Sequence, residues 1–125
     1  MAHKILLIDD SEVSLDCTRE ALDRAGFEVR TASDVHHLDR VLGGWRPDLI
    51  LTDVNMPGLS GPELCRMLKS SYETAHVPVV LFSSLESGEL ETVARECEAD
   101  GYLSKSNGLD TLSIELQSLI DAALF

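Results

Sequence analysis

Positive charge is what this 125-residue sequence has least of: 10 Lys+Arg stand against 22 Asp+Glu, a formal net charge of −12. A surface that acidic repels phosphate backbones and anionic lipid, which argues against direct nucleic-acid or membrane-surface binding. Cysteine is also scarce. Cys17, Cys65 and Cys97 lie about 30 to 50 residues apart, with no CxxC pair and no Cys/His cluster, so a zinc site is unsupported. They read as reduced thiols packed as small apolar residues in a cytosolic protein. Long apolar runs are missing too. Ile5–Ile8 meets two aspartates after four residues, too short for a signal peptide, and no stretch approaches the roughly 20 residues of a membrane span. What remains, 44% apolar and 26% charged residues, is the profile of one soluble, cytoplasmic globular domain over residues 1–125.

Two kinds of segment alternate along it. Short apolar runs at Ile5–Ile8, Asp48–Leu51 and Val79–Phe82 suit strands buried on both faces, and weaker runs stand at Phe27–Ala32 and Gly101–Ser104. Helical spacing lies between them. Residues 11–25 place Val13, Cys17 and Ala21 on one stripe, with Leu22 and Ala25 beside it, and end at Gly26. Residues 34–42 carry Leu38, Val41 and Leu42. Residues 62–69 open on Gly61-Pro62 and carry Leu64, Cys65 and Leu68. Residues 87–97 offer Leu90, Val93, Ala94 and Cys97, and a last helix from about Asp110 offers Leu112, Leu116, Leu119, Ile120 and Ala123. A β-α unit repeated five times predicts an α/β fold, a parallel sheet with helices on both faces. No internal sequence repeat, low-complexity tract or interdomain linker interrupts it.

In an open parallel sheet, ligands bind beyond the carboxyl ends of the strands. The first strand ends in Asp9-Asp10, the third in Asp53, the fourth in Ser83-Ser84 and the fifth in Ser104-Lys105. Three carboxylates, a hydroxyl and an ammonium thus converge on one edge. Two carboxylates about 4 Å apart repel by roughly 4 kcal/mol at an effective dielectric near 20. Either a proton is retained or a cation neutralises the group. With no His or Cys nearby, an oxygen-seeking ion such as Mg²⁺ fits, completing its shell with water and phosphate oxygens. The edge then reads as a holder for a phosphoryl group, with Lys105 and Ser83 on its oxygens and a carboxylate attacking. Taken singly, each residue has a plainer role: Asp9 and Asp10 as helix caps, Asp53 as a turn former, Lys105 as a solvated lysine.

The combination resembles the receiver domain of two-component response regulators over essentially the whole chain. The acidic pair follows Ile-Leu-Leu-Ile; Asp53-Val-Asn-Met-Pro-Gly-Leu-Ser-Gly61 is similar to the family's DxxMPxxxG loop. Ser83 follows Val-Val-Leu-Phe, and Tyr102-Leu-Ser-Lys105 resembles the family's YLTK element. The resemblance implies a flavodoxin-like doubly wound sheet of order 2-1-3-4-5 with five helices. It implies that Asp53 accepts a phosphoryl group from a histidine kinase or histidine phosphotransfer protein. Asp10, Asp53 and the Asn55 carbonyl would hold Mg²⁺, with Asp9 acting through water and Lys105 and Ser83 contacting the phosphoryl oxygens. Tyr102 stands at the switch aromatic, and the surface of fourth helix, fifth strand and fifth helix would bind a partner protein. Such a chain works on no substrate beyond its own phosphoryl transfer and slow autodephosphorylation.

The chain departs from that pattern in places. Ser106 stands where proline usually follows the lysine, which favours a trans and more mobile loop, because a non-proline cis bond costs about 2.5–4 kcal/mol. Ser83 replaces the commoner threonine, and Leu85 is apolar, a feature expected to hinder water and slow dephosphorylation. Trp45 reads as a partly buried loop aromatic, and His36 and His37 as surface residues. Two rivals stay open. One is an Asp-nucleophile phosphatase of the haloacid-dehalogenase type, against which Asp9-Asp10-Ser11 lacks the DxD pattern. The other is a receiver-fold binding module that no longer uses phosphate.

Overall fold

The computed structural model describes residues 3–56, 59–70 and 74–124. Five parallel strands form its centre: β1 (Lys4–Ile8), β2 (Glu28–Ala32), β3 (Leu49–Thr52), β6 (Val79–Ser83) and β7 (Gly101–Ser104). Their order is β2-β1-β3-β6-β7, which is 2-1-3-4-5 when the core strands are counted along the chain. Between β3 and β6 a small antiparallel pair, β4 (Asn55–Met56) and β5 (Leu59–Ser60), precedes the third helix. The sequence reading treated that segment as loop alone. Two-residue strands are too short to leave an alternation of apolar and polar residues, so no periodic signal marks them. Pro57 and Gly58 lie outside the described residues.

The helices are α1 (Glu12–Arg24), α2 (Val35–Leu42), α3 (Gly61–Ser70), α4 (Ser87–Cys97) and α5 (Leu109–Leu124). Each crosses from one parallel strand to the next or, for α5, packs back after the last. Alternation along the strands divides the core into two layers. Leu6, Ile8, Ile50, Val79 and Leu81 point to the face covered by Leu38 of α2, Leu64, Cys65 and Leu68 of α3, and Leu90, Ala94 and Cys97 of α4. Ile5, Leu7, Leu49, Leu51, Val80 and Phe82 point to the other face, under Leu15 and Leu22 of α1 and Leu112, Leu116 and Ile120 of α5. Fully burying each such side chain stabilises by about 1.5–3 kcal/mol. The continuous apolar runs are therefore what a sheet covered on both faces requires.

α1 does not bury the expected stripe. Leu15, Thr18 and Leu22 face the sheet, while Val13 is 74% exposed and Cys17 is exposed. Two helical stripes competed here, and the one holding two leucines buries more apolar area than one built on Val, Cys and Ala. The helix starts at Ser11, whose hydroxyl accepts from the Ser14 N–H, so neither Asp9 nor Asp10 is the cap. It stops at Ala25 before Gly26, whose φ of +95° is open to glycine at no steric cost. Trp45 is more buried than expected: its indole N–H donates to Glu28 at 2.9 Å, and the Arg30 guanidinium lies 4.9 Å from its ring centre. His36 is exposed and His37 half-buried, its backbone N–H donating to the Asp34 cap of α2. Among the described residues no helix is long and apolar enough to cross a membrane.

The cysteines divide accordingly. Burial first, then the neighbouring Cys97, pushes the Cys65 thiol up to about 12, and burial raises Cys97 as well, whereas Cys17 is exposed. Thiols held in the neutral form inside a core are poor nucleophiles. Maleimide at neutral pH is expected to label one thiol of the native protein promptly, mapped by peptide mass to Cys17. Cys65 and Cys97 should react only after denaturation. Equal rates at all three would contradict this packing.

Candidate functional site

Strand register places the polar residues before any side chain is considered. Ile8 of β1 is level with Thr52 of β3, and Thr52 with Leu81 of β6. The ladder continues one step further, for the Asp53 N–H donates to the Ile8 carbonyl at 2.9 Å and the Asp9 N–H to the Ala32 carbonyl at 3.2 Å. Asp9 and Asp53 are thereby fixed side by side at the carboxyl edge. Ser83 and Ser104 are paired across β6 and β7, so Lys105 leaves the same edge one residue later.

The side chains then meet. Lys105 Nζ lies 2.9 Å from Asp9 Oδ2 and 3.5 Å from Asp53 Oδ2. Each aspartate turns its other oxygen to backbone: Asp9 Oδ1 accepts from the Ser11 N–H at 3.0 Å, and Asp53 Oδ1 from the Val54 N–H at 2.7 Å. Asp10 is exposed beside them, and Asp9, Asp10 and Asp53 each bring one oxygen within 4.8 Å of the others. The trio proposed from sequence is thus assembled. Oxygen donors alone, with one ammonium against three carboxylates, suit a hard divalent cation better than a soft one.

Buried Asp9 and half-buried Asp53 respond oppositely. Burial pulls Asp9 upward, but the Ser11 N–H, Lys105 and Ser14 hydrogen bonds together outweigh it and hold the carboxyl below its ordinary range. For Asp53, burial again raises the value and Lys105 lowers it, while Asp9 adds repulsion; the net result lies above the ordinary range. Asp9 gains most from the Ser11 N–H and then from its shorter contact to Lys105, while Asp53 also bears the repulsion of Asp9; together these account for the difference.

Ser83 is buried, and its hydroxyl accepts from the Leu85 N–H at 3.2 Å. Asn55 is described by its backbone alone, at the start of β4. Tyr102 is 39% exposed on β7. No cis peptide occurs among the described residues, so Lys105–Ser106 is trans as expected. That loop is tied down locally: Lys105–Asn107 forms a 3₁₀ turn whose Ser106 N–H donates to Ser104 Oγ at 3.2 Å, with the two hydroxyls 2.6 Å apart. Sequence reading missed Ser14 and Phe82. Lys105 Nζ donates to Ser14 Oγ at 3.3 Å and stands 5.5 Å from the centre of the Phe82 ring. The spacing of Ser14, one helical turn after Asp10, was the available signal.

The signs carry into stability. Asp53's raised value means that its ionised form is disfavoured by folding: the cost is absent below the ordinary carboxylate range and complete above the folded value. Asp9's lowered value works the other way, contributing above its ordinary value and failing as pH falls through the folded one. At neutral pH without divalent cation, Asp53→Asn should melt a few degrees above the parent and Asp9→Asn below it. Shifts in the same direction, read by thermal unfolding, would refute the asymmetry.

Comparison with known proteins places this geometry. The family model for the response regulator receiver domain matches residues 5–117. Response regulator PleD of Caulobacter vibrioides is 35% identical over 105 residues, which cover 84% of this chain but only 23% of that protein. The chain thus spans about a quarter of PleD's length. Polar-differentiation response regulator DivK of Brucella ovis is 30% identical over 106 residues, covering 84% of this chain and 85% of DivK. Chemotaxis response regulator CheY4 of Vibrio cholerae superposes with a TM-score of 0.83 at 28% identity, over 95% of this chain and 99% of its own. The phosphatase alternative is left without support, and the chain belongs to the response regulator receiver domain family.

Proposed function

We propose that the chain is a phosphorylation-controlled switch in which Asp53 is the phosphoacceptor. The observation that carries this reading is the position of Lys105, shared between Asp9 and Asp53 at the sheet edge. A carboxylate oxygen of Asp53 attacks phosphorus in line, the bond from phosphorus to the donor breaks, and the leaving group departs with the electron pair. Lys105, 3.5 Å from Asp53 before transfer, meets the negative charge developing on the phosphoryl oxygens. Asp53's raised value keeps its oxygen more basic than an ordinary carboxylate once ionised. Asp10, Asp53 and the Asn55 carbonyl are the groups to hold Mg²⁺, with Asp9 linked through water. When bound, the ion would neutralise the carboxylates and polarise the phosphoryl oxygens.

The donor in this reading is a histidine kinase or histidine phosphotransfer protein, and the site is cytoplasmic. The readout follows from two groups that the unphosphorylated arrangement leaves available. Ser83, whose oxygen accepts from the Leu85 N–H, donates its O–H to a phosphoryl oxygen, and Tyr102, now 39% exposed, turns inward behind it. The surface of α4, β7 and α5 then changes its fit for an effector protein. The phosphoryl group adds about 1.5 to 2 negative charges. Among the described residues Lys105 is the cation that faces Asp53, which makes that lysine the main side-chain counter-charge to the state. The chain would catalyse nothing beyond gaining and slowly losing this group.

Incubation with acetyl phosphate and Mg²⁺, followed by intact mass, is expected to add one phosphate. The adduct should be absent from Asp53→Asn and without Mg²⁺, and Lys105→Ala should form it roughly 10²-fold more slowly. Phosphate on Asp53→Asn would refute the assignment. Leu85 is half-buried two residues beyond Ser83, packed against the core layer under α2, α3 and α4. Replacing it by a polar side chain admits water to the acyl phosphate, so Leu85→Asn should lose the group faster than the parent; an unchanged half-life would remove Leu85 from the account.

A further inference from the structure

A lysine ammonium has three N–H donors and accepts nothing. Around Lys105 Nζ the structure provides three oxygens: Asp9 Oδ2 at 2.9 Å, Ser14 Oγ at 3.3 Å and Asp53 Oδ2 at 3.5 Å. The first and third belong to the acidic cluster. Ser14 does not; it comes from the first turn of α1, is half-buried, and its own N–H is spent on the Ser11 cap. Its oxygen accepts from Lys105 Nζ, so the hydroxyl meets the ammonium as a neutral acceptor. The Phe82 ring, 5.5 Å away, closes another side of the ammonium without competing for its protons.

We infer that Ser14 is a positioning residue for phosphoryl transfer, holding Lys105 Nζ between α1 and the acidic cluster through a neutral hydroxyl oxygen. The inference rests on the phosphoacceptor reading above. Its logic is electrostatic. Lys105 has to meet a phosphoryl group on the Asp53 side, yet its shortest contact is to Asp9. A third carboxylate in place of Ser14 would draw the ammonium further from Asp53 and cancel part of its charge. A hydroxyl directs one N–H and leaves the full charge for the incoming oxygens. Losing it frees the ammonium to rotate and to settle on Asp9, so a smaller fraction of encounters finds it correctly placed.

The test compares Ser14→Ala and Ser14→Thr in the unaltered chain and in Lys105→Ala, by the rate of phosphate incorporation from acetyl phosphate with Mg²⁺. Alanine suits a helix, and Ser14 is not a core residue, so the variants should fold; thermal unfolding checks this. Ser14→Ala should slow incorporation about three- to tenfold, the net worth of one ordinary hydrogen bond. Ser14→Thr should restore most of the rate. In the Lys105→Ala background Ser14→Ala should cost nothing further, because a residue acting through Lys105 has nothing left to position. An unchanged rate in Ser14→Ala, or an equal loss in both backgrounds, overturns the inference while leaving the phosphoacceptor reading intact. A parent chain that takes up no phosphate overturns both.

Discussion

One ammonium shared unequally between two carboxylates is the interaction on which this protein turns. Lys105 sits closer to Asp9 than to Asp53, and the pair of aspartates answers with opposite shifts in proton affinity. Asp9 is satisfied: buried, bonded to backbone and lysine, and comfortable as an anion. Asp53 is left partly buried with less compensation, and Asp10 adds a third carboxylate at the solvent side. Such an edge is held in tension by repulsion of roughly 4 kcal/mol per close pair at an effective dielectric near 20. A divalent cation is the chemical partner that would relieve it.

The fold makes that tension possible by being unremarkable everywhere else. Two apolar layers, one under α2, α3 and α4 and one under α1 and α5, clamp a sheet whose central strands are buried on both faces. Register then fixes the polar edge through backbone bonds alone: the Asp53 N–H on the Ile8 carbonyl sets the spacing of the two aspartates. Moving apart would require breaking the sheet, so the carboxylates cannot escape one another by relaxing. The 22 acids of the sequence therefore play two roles, a few forced together at one edge and the remainder spread over a surface that discourages nucleic acid.

Much of this was legible in the sequence because the signals were local and redundant. Apolar runs four to six residues long located the core strands to within a residue, and the polar residues ending four of the five marked the candidate edge. The face of α1 was not legible, since Val13-Cys17-Ala21 and Leu15-Thr18-Leu22 are both valid stripes and only packing against the sheet chooses between them. Ser14 escaped for a related reason. A serine on a helix gives no pattern, and its closeness to Lys105 arises from two segments 91 residues apart in sequence. The β4–β5 pair was too short for any periodicity. Ser106, by contrast, favours the trans peptide found after Lys105, but gives no sign of the Ser104 hydroxyl that ties the turn.

The claim that Asp53, rather than its better-satisfied neighbour, receives the phosphoryl group is open to direct chemical mapping. An acyl phosphate is reduced by borohydride to the alcohol, whereas a free carboxylate is not. Treatment with acetyl phosphate and Mg²⁺, then borohydride, then peptide mass mapping should find the reduced side chain at position 53 alone. Reduction at Asp9 or Asp10, or at no aspartate in a chain that has gained phosphate, would contradict the account.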